Sequence, residues 1–586
     1  MMEIQKFLAF FLTLYTVKTN CDMLNKKAIC QTMIFIKFIC SIIDTRNQGG
    51  ISMKKKIRIY SSLIALTFLS TSILCGCTYT DTSPAAKTDQ SRFYFHAAEK
   101  AADNKRTNFY IDSDNNLWAW DSVYPDYPYI GNAFLPPTEP EPIMKNIKEV
   151  VPTSMYNDLF YVLDTENSLW ELPTDMNPSI PKKKLLDDVA VPNMEHAITT
   201  NGDLYVWGDQ TRYISGMVGL TKEEMKTPRC IMKQAVHTDL YTSTSFAIDQ
   251  DGYLWSWGEC KYGELGQGEA SIKSSSPTII ADHVAKFYRS YDRGEPTMYA
   301  LKTDGTLWAW GYNQYGAVGN GTTETVSTPT KVLDHVKTFT CTACPSNGAF
   351  DTYTNAFALR EDDSLWAWGY NDEGNLGNGT TESVLSPVKI LDVVAEIETD
   401  VNMYTNLSFA IKKDGSLWGW GYNLYGQLCT GNAEPVLLPV KIADDVKEYC
   451  PFYATLYFVK QDNTLWGSGF NISSFSNDQP ELTPPVLLQE NVDHIQTIDD
   501  TVFSFGTDGS PSICGYHDVV RINDGFDSPY EINRRKILDY IAWIDGECGD
   551  IFAMTNDGKL MNFSVVTVYD GKVKPTKPAE IPLPLT

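Results

Sequence analysis

Apolar and polar residues alternate along most of this chain in short runs, and the runs come in pairs. In Phe409-Ala-Ile-Lys-Lys-Asp-Gly-Ser-Leu-Trp-Gly-Trp-Gly421, Phe409 and Ile411 share one face before a polar pair, and Trp418 and Trp420 share one face after it. A period of two on both sides of a turn signal predicts a β-hairpin. The polar pairs recur as Asp251-Gly252, Asp304-Gly305, Asp362-Asp363, Asp414-Gly415 and Asp462-Asn463. A two-residue type I′ turn, with positive φ at both positions, is expected at these tips, because Gly and Asn accept that conformation and Asp tolerates it.

The hairpins repeat. Anchored on the residue before the first Trp, they fall at Leu117, Leu169, Leu204, Leu254, Leu307, Leu365, Leu417 and Leu465, with degenerate copies at Pro511 and Leu560. The spacings are 52, 35, 50, 53, 58, 52, 48, 46 and 49 residues, a period that indicates a propeller or solenoid. A lone two-stranded ribbon is marginally stable, whereas radial stacking of sheets buries both faces. Thirteen of the fourteen Trp lie in these hairpins, with Trp543 outside. At the clearest units they are Trp255, Trp257, Trp308, Trp310, Trp366, Trp368, Trp418 and Trp420. Indoles at a fixed register of every unit are assigned to packing between sheets rather than to a stacking platform for sugars or bases. Trp366→Ala is therefore expected to cost ~3–5 kcal/mol.

A glycine-rich loop follows each hairpin, as in Gly311-Tyr312-Asn313-x-x-Gly316-x-x-Gly319-x-Gly321, Gly369-Tyr370-Asn371-x-x-Gly374 and Gly421-Tyr422-Asn423-x-x-Gly426. Pro277, Pro329, Pro387 and Pro439 come next and suit the first residue of an edge strand. No Lys-Ser/Thr follows the glycines, so they make turns rather than a phosphate cradle. The pattern Leu-Trp-x-Trp-Gly-x-Asn-x-x-Gly-x-Leu-Gly-x-Gly, then Pro-x-x-Val, resembles the regulator of chromosome condensation repeat over residues ~107–570. The resemblance implies an all-β propeller of four-stranded blades, usually seven and often closed by pairing strands from both chain ends. About ten units are counted here, so seven or more blades are expected.

The first hundred residues read differently. Lys54-Lys55-Lys56-Ile57-Arg58, an apolar run from Ile59 to Leu74, and Leu74-Cys75-Gly76-Cys77 have the order of an export signal. The ending resembles a bacterial lipobox, which implies cleavage before Cys77 and a lipid on its sulfur. The expected organisation is a translation start at Met53 with 1–52 as an upstream extension. A helical signal peptide at 53–76, a lipidated flexible tether at 77–106 and a propeller at 107–586 would follow. Within the tether, Phe93-Tyr94-Phe95 has the signature of an opening strand.

Charge narrows the functional classes. The chain has 48 basic and 73 acidic residues, net −25. Residues 1–76 hold 10 basic and 3 acidic ones, so the remainder has 38 and 70, net −32. Such a body is a poor binder of nucleic acid. No nucleophile elbow, zincin helix or Walker loop is present, and no metal or cofactor is expected. His283, His335 and His494 look like one surface position of the repeat. Cys341 and Cys344 form a single C-x-x-C that reads as two buried small residues, with a disulfide left open.

The leading functional expectation is a non-catalytic protein-binding module, exported and held by a lipid anchor on the outer side of a bacterial membrane. Its ligand would be a protein or a cell-wall component, with Tyr312, Tyr370 and Tyr422 as contacts unless they pack under a blade. Alternatives are a proteinaceous inhibitor resembling those of β-lactamases and a wall-glycan enzyme using paired carboxylates. Guanine-nucleotide exchange is implied by the family resemblance alone.

Overall fold

In the computed structural model, structure is described for residues 92–581 with breaks at 101–104, 124–139, 152–158, 174–181, 194, 209–222, 241–243, 291–295, 346–351, 403–404, 453–454, 470–484, 499–500, 517–530, 533–540, 548–549, 557–558, 569–571 and 576–578. The expected extension, signal peptide and Cys77 lie outside the described residues.

The alternating runs fold as strands throughout, and among the described residues the single helical segment is the 3-10 turn Glu224–Lys226. Ten sheets follow one another along the described chain. Eight have four antiparallel strands in sequence order, sheet 9 (492–516) has three, and the last gathers its strands irregularly between 531 and 581. Each anchor residue of the repeat opens a third strand: Leu307–Gly311, Leu365–Gly369 and Leu417–Gly421 are typical. Pro511 and Leu560 also open their strands, so the degenerate copies are structural units.

The first strand of one sheet lies against the first strand of the next, as Val284–Arg289 does against Val336–Pro345. The first strand of the last regular series, Ile541–Glu547, lies against Arg92–Lys100, so the sheets return to their start. The circuit does not close by a sheet shared between the chain ends: among the described residues every sheet draws its strands from its own stretch of sequence. Arg92–Lys100 is itself the first strand of sheet 1 and includes Phe93-Tyr94-Phe95, so the sheets begin inside the 77–106 stretch read as tether.

Two sequence expectations change. The hairpin tips are three-residue loops, not type I′ turns. At Thr303-Asp304-Gly305, Gly305 N–H donates to Lys302 O at 3.0 Å and Lys302 N–H to Thr306 O at 2.9 Å, with Gly305 alone at positive φ (79°). That is a type I turn closed by a left-handed residue. The left-handed position is open enough that Asn115, Asn167, Asp363 and Asn463 fill it elsewhere. The prolines sit inside the outermost strands rather than at their starts: Pro329 is within Val326–Leu333, where the pairing to the third strand slips between Ala309 and Gly311. A residue without an N–H is tolerated on such an irregular edge.

Backbone stitches join the sheets at the tip end. The two-residue connection Asp334-His335 leads from sheet 5 to sheet 6, and His335 has φ 58°. Val336 N–H donates back to the tip carbonyl of Gly305 (2.8 Å), while Glu361 N–H of the next tip donates to His335 O (2.8 Å). The same left-handed position holds Asn146, Asp188, Gln234, His283, Val393, Asp445 and Asn491. His283 and His335 are thus equivalent, but His494 is not: Asn491 occupies its place.

Candidate interaction face

Strand direction divides each unit into two ends. Hairpin tips and inter-sheet connections lie at one end. The glycine-rich loops after the third strands lie at the other, called here the loop face. A buried asparagine builds each of the three clearest loops. Asn371 is fully buried and its Nδ2 donates to Asn378 Oδ1 (3.0 Å), Thr380 O (2.9 Å) and Glu382 O (3.1 Å). Its Oδ1 accepts from Leu376 N–H at 2.8 Å. Asn313 and Asn423 repeat this arrangement. The glycine two residues earlier is required for space: Gly311, Gly369 and Gly421 have φ of 100–101°, and a Cβ there would come within 2.6, 2.5 and 2.4 Å of a carbonyl oxygen.

The paired tryptophans divide the work. Trp257, Trp310, Trp368 and Trp420 are fully buried. Three of them donate their indole N–H to the loop of the preceding sheet: Trp310 to Glu264 O (2.7 Å), Trp368 to Ala317 O (2.9 Å) and Trp420 to Asn375 O (2.9 Å). Trp255, Trp308, Trp366 and Trp418 are half-buried near the tips. Trp366 Nε1–H donates to Ser364 Oγ (2.9 Å), with the Arg360 guanidinium 5.4 Å over the ring. In sheet 4 the residue six before the indole is Asp249, which accepts from Trp255 Nε1 directly at 2.7 Å. Trp366 is therefore not the large buried indole of its sheet; Trp368 is.

The loop-face tyrosines meet across sheet boundaries. Tyr262 of sheet 4 packs on Tyr312 of sheet 5, ring centroids 5.2 Å apart. Tyr315 of sheet 5 packs on Tyr353 (4.3 Å) and Tyr370 (5.3 Å) of sheet 6. Tyr422 lies 6.2 Å from Tyr425 of its own loop. The structure thus places Tyr312 and Tyr422 half-buried and Tyr370 buried, all at the same end. Packing against the neighbouring loop and lining the face are one arrangement at Tyr312 and Tyr370.

Carboxyl groups accompany these rings. Tyr370 O–H donates to Asp372 Oδ2 at 2.7 Å, and burial, then Asp372, raise its phenol well above the ordinary range. Glu373 occupies the register held by Tyr262, Tyr315 and Tyr425 in the other loops. It accepts from Asn406 Nδ2 of sheet 7 at 3.2 Å, and burial raises its carboxyl above the ordinary value. Glu264, 3% exposed, caps its own loop by accepting from Tyr262 N–H at 2.7 Å; burial raises it too. Sequence reading missed Asn313, Asn371, Asn423 and Glu373. The Asn repeated in the loops of sheets 5, 6 and 7 was a signal for the first three, and the break in a row of tyrosines was one for the fourth.

Cys341 and Cys344 lie three apart in an unbroken strand register, paired with Ala356 and Tyr353. The disulfide expectation falls outside the described residues, because the Cys344 side chain is not among them. Cys341 is a free thiol that burial pushes up to about 12. Among the described residues no group of three His, Cys, Asp or Glu is placed to hold a metal ion. Among them, too, no helix is long and apolar enough to cross a membrane.

The family model for the regulator of chromosome condensation (RCC1) repeat matches residues 304–344, 362–398 and 414–450. Each match starts at a hairpin tip and ends in the first strand of the following sheet, so the RCC1 repeat is out of phase with the sheet and straddles two of them. The human E3 ubiquitin-protein ligase HERC2 is 28% identical over 253 residues, 42% of this chain and 5% of that protein. The ultraviolet-B receptor UVR8 of Arabidopsis thaliana is 28% identical over 210 residues, 36% of this chain and 44% of the receptor. The chain thus spans less than half the length of these relatives. Among solved structures, yeast RCC1 (Prp20) bound to Kap60 aligns at 18% identity, covering 65% of this chain and 84% of the yeast chain, with a TM-score of 0.32.

Proposed function

We propose that this chain is a non-catalytic protein-binding propeller, exported and anchored outside a bacterial cell through a lipid on Cys77, with its loop face as the docking surface. The supporting observation is the loop face itself. Tyrosines from sheets 4, 5 and 6 are brought side by side by loops that buried Asn313 and Asn371 organise in sheets 5 and 6 and that Glu264 caps in sheet 4. Rigid aromatic side chains offer large contact area at low entropic cost, which is why Tyr is enriched in protein interfaces. Of the carboxyls near these rings, Glu264 caps its own loop and Glu373 accepts from Asn406 of sheet 7. The anchoring is supported by the sequence of basic, apolar and small residues that ends at Cys77.

A photoreactive phenylalanine at position 422 tests the docking surface in cells of the native host. One envelope protein should cross-link there and not to the same group at Leu438 on an outermost strand. Equal labelling from both positions would remove the assignment of the face. Lipid labelling lost in Cys77→Ser tests the anchor separately.

A further inference from the structure

Charge in the central sheets is divided between the two ends. All ten Lys and Arg between residues 302 and 460 stand at the tip end. They close second strands (Lys302, Arg360), stand near the ends of fourth strands (Lys331, Lys389) or begin first strands (Lys337, Lys447). Most are already paired there, as Lys331 is to Asp334 and Lys389 to Asp392, both at 2.5 Å. The loop face of the same sheets has no Lys or Arg in its loops, yet carries exposed Glu324, Asp372, Glu382 and Glu434 and half-buried Glu373. The sequence shows no such division, because cations and acids alternate along it.

From this we infer that the loop-face occupant is an extended, arginine- or lysine-rich segment of a partner protein, seated at the boundary of sheets 6 and 7. This rests on the loop face being the docking surface. The boundary offers what a guanidinium or ammonium needs. Tyr353, half-buried against the buried Tyr370 with centroids 4.8 Å apart, presents aromatic surface, and Asp372 and Glu373 supply acceptors beside it. Tyr422 stands on the far side, close enough that Glu373 raises its phenol after burial and Tyr425 have done so. Leu424, 50% exposed, borders the same loop cluster. An arginine stacks on a tyrosine face while pairing a carboxylate, and both interactions strengthen as water is displaced. With no Lys or Arg in the surrounding loops, the incoming cation has no competitor from within the central sheets. An acidic segment meets a like field and is rejected.

Fluorescence anisotropy of the full chain with a fluorescein-labelled decapeptide of alternating Arg and Gly tests the inference, with a Glu-Gly peptide as control. The Arg peptide should bind and the Glu peptide should not, with affinity falling between 50 and 300 mM NaCl. Asp372→Asn with Glu373→Gln should weaken binding ~tenfold or more, because two charge-assisted contacts are removed. Asp334→Asn with Asp392→Asn removes the same charge from the tip end and should leave affinity within about twofold. Exposed Asp372→Lys alone should also abolish binding while still melting cooperatively, at a temperature lowered only by the loss of the Tyr370 O–H bond, which covers the case where the double variant misfolds. Absence of Arg-peptide binding, equal losses in both double variants, or full binding by Asp372→Lys would each overturn the inference. If those outcomes appear while cross-linking at position 422 persists, the face stands and only its basic occupant falls; if cross-linking is lost as well, the face falls with it.

Discussion

A tryptophan's worth in this protein depends on where along its strand it stands. Trp368 has no exposed surface and bonds to the preceding sheet, whereas Trp366 is half-exposed and bonds within its own hairpin. Trp368→Ala should cost ~3–5 kcal/mol and Trp366→Ala roughly 1–2, read as urea midpoints at constant slope. Equal losses would contradict the division of labour. Glu264 makes a different prediction. Its carboxyl is raised by burial, so the folded state favours the protonated form and the charge is a burden at neutral pH. Stability from this group is lost as pH rises above the unfolded-state value and is regained as pH falls. Gln427 fills the same register and accepts from Tyr425 N–H at 3.2 Å, so glutamine can serve the loop. Glu264→Gln should therefore stabilise by about 1 kcal/mol at pH 7. Thermal melts at acidic pH should show that gain shrinking towards zero.

At the scale of the element, the glycine-rich loops of sheets 5, 6 and 7 are each organised by one amide. Four hydrogen bonds converge on the Asn371 side chain in a site closed to water. Removing it takes this partner from the Thr380 and Glu382 carbonyls and from the Leu376 N–H, while Asn378 Oδ1 keeps its bonds from Thr380. Asn371→Ala should cost about 2–4 kcal/mol. Hydrogen exchange should accelerate first within 371–383, and uniform acceleration across the sheets would refute a local role. Asn371→Asp should fare no better, since a carboxylate accepts but does not donate. The hairpins show how one element tolerates two chemistries. The half-buried indole N–H is met by Asp249 in sheet 4 and by Ser364 in sheet 6, and a cation covers the ring in the second case. Hairpin position was legible because a period of two and a turn signal are local properties, whereas the register follows the turn type and came out one residue from that of a two-residue tip. The turn type was not: Asp-Gly suits several turns, and the stitch from Val336 N–H to Gly305 O helps select the observed one.

Across the whole molecule, stability is shared between neighbouring sheets and closed by contact of Ile541–Glu547 with Arg92–Lys100. Deleting residues 537–586 takes a neighbour from sheet 1 as well as from sheet 9. In an open array the same deletion would affect sheet 9 alone. Hydrogen exchange in the truncated protein should therefore rise in Lys105–Ile111 as well as in Thr501–Gly506, and unchanged protection of the former would refute the closed circuit.

The sequence by itself determined the repeat, the position of every hairpin and the glycine loops, down to the anchor residue that opens each third strand. It could do so because side-chain alternation, left-handed turns and capping act within a few residues. Only the tertiary structure decided that ten sheets make the circuit, that Trp368 and not Trp366 is enclosed, that Glu373 lies beside Asn406, and that the central cations gather at one end. These follow from which strand ends lie side by side in space, a property of stacked sheets that no local pattern encodes.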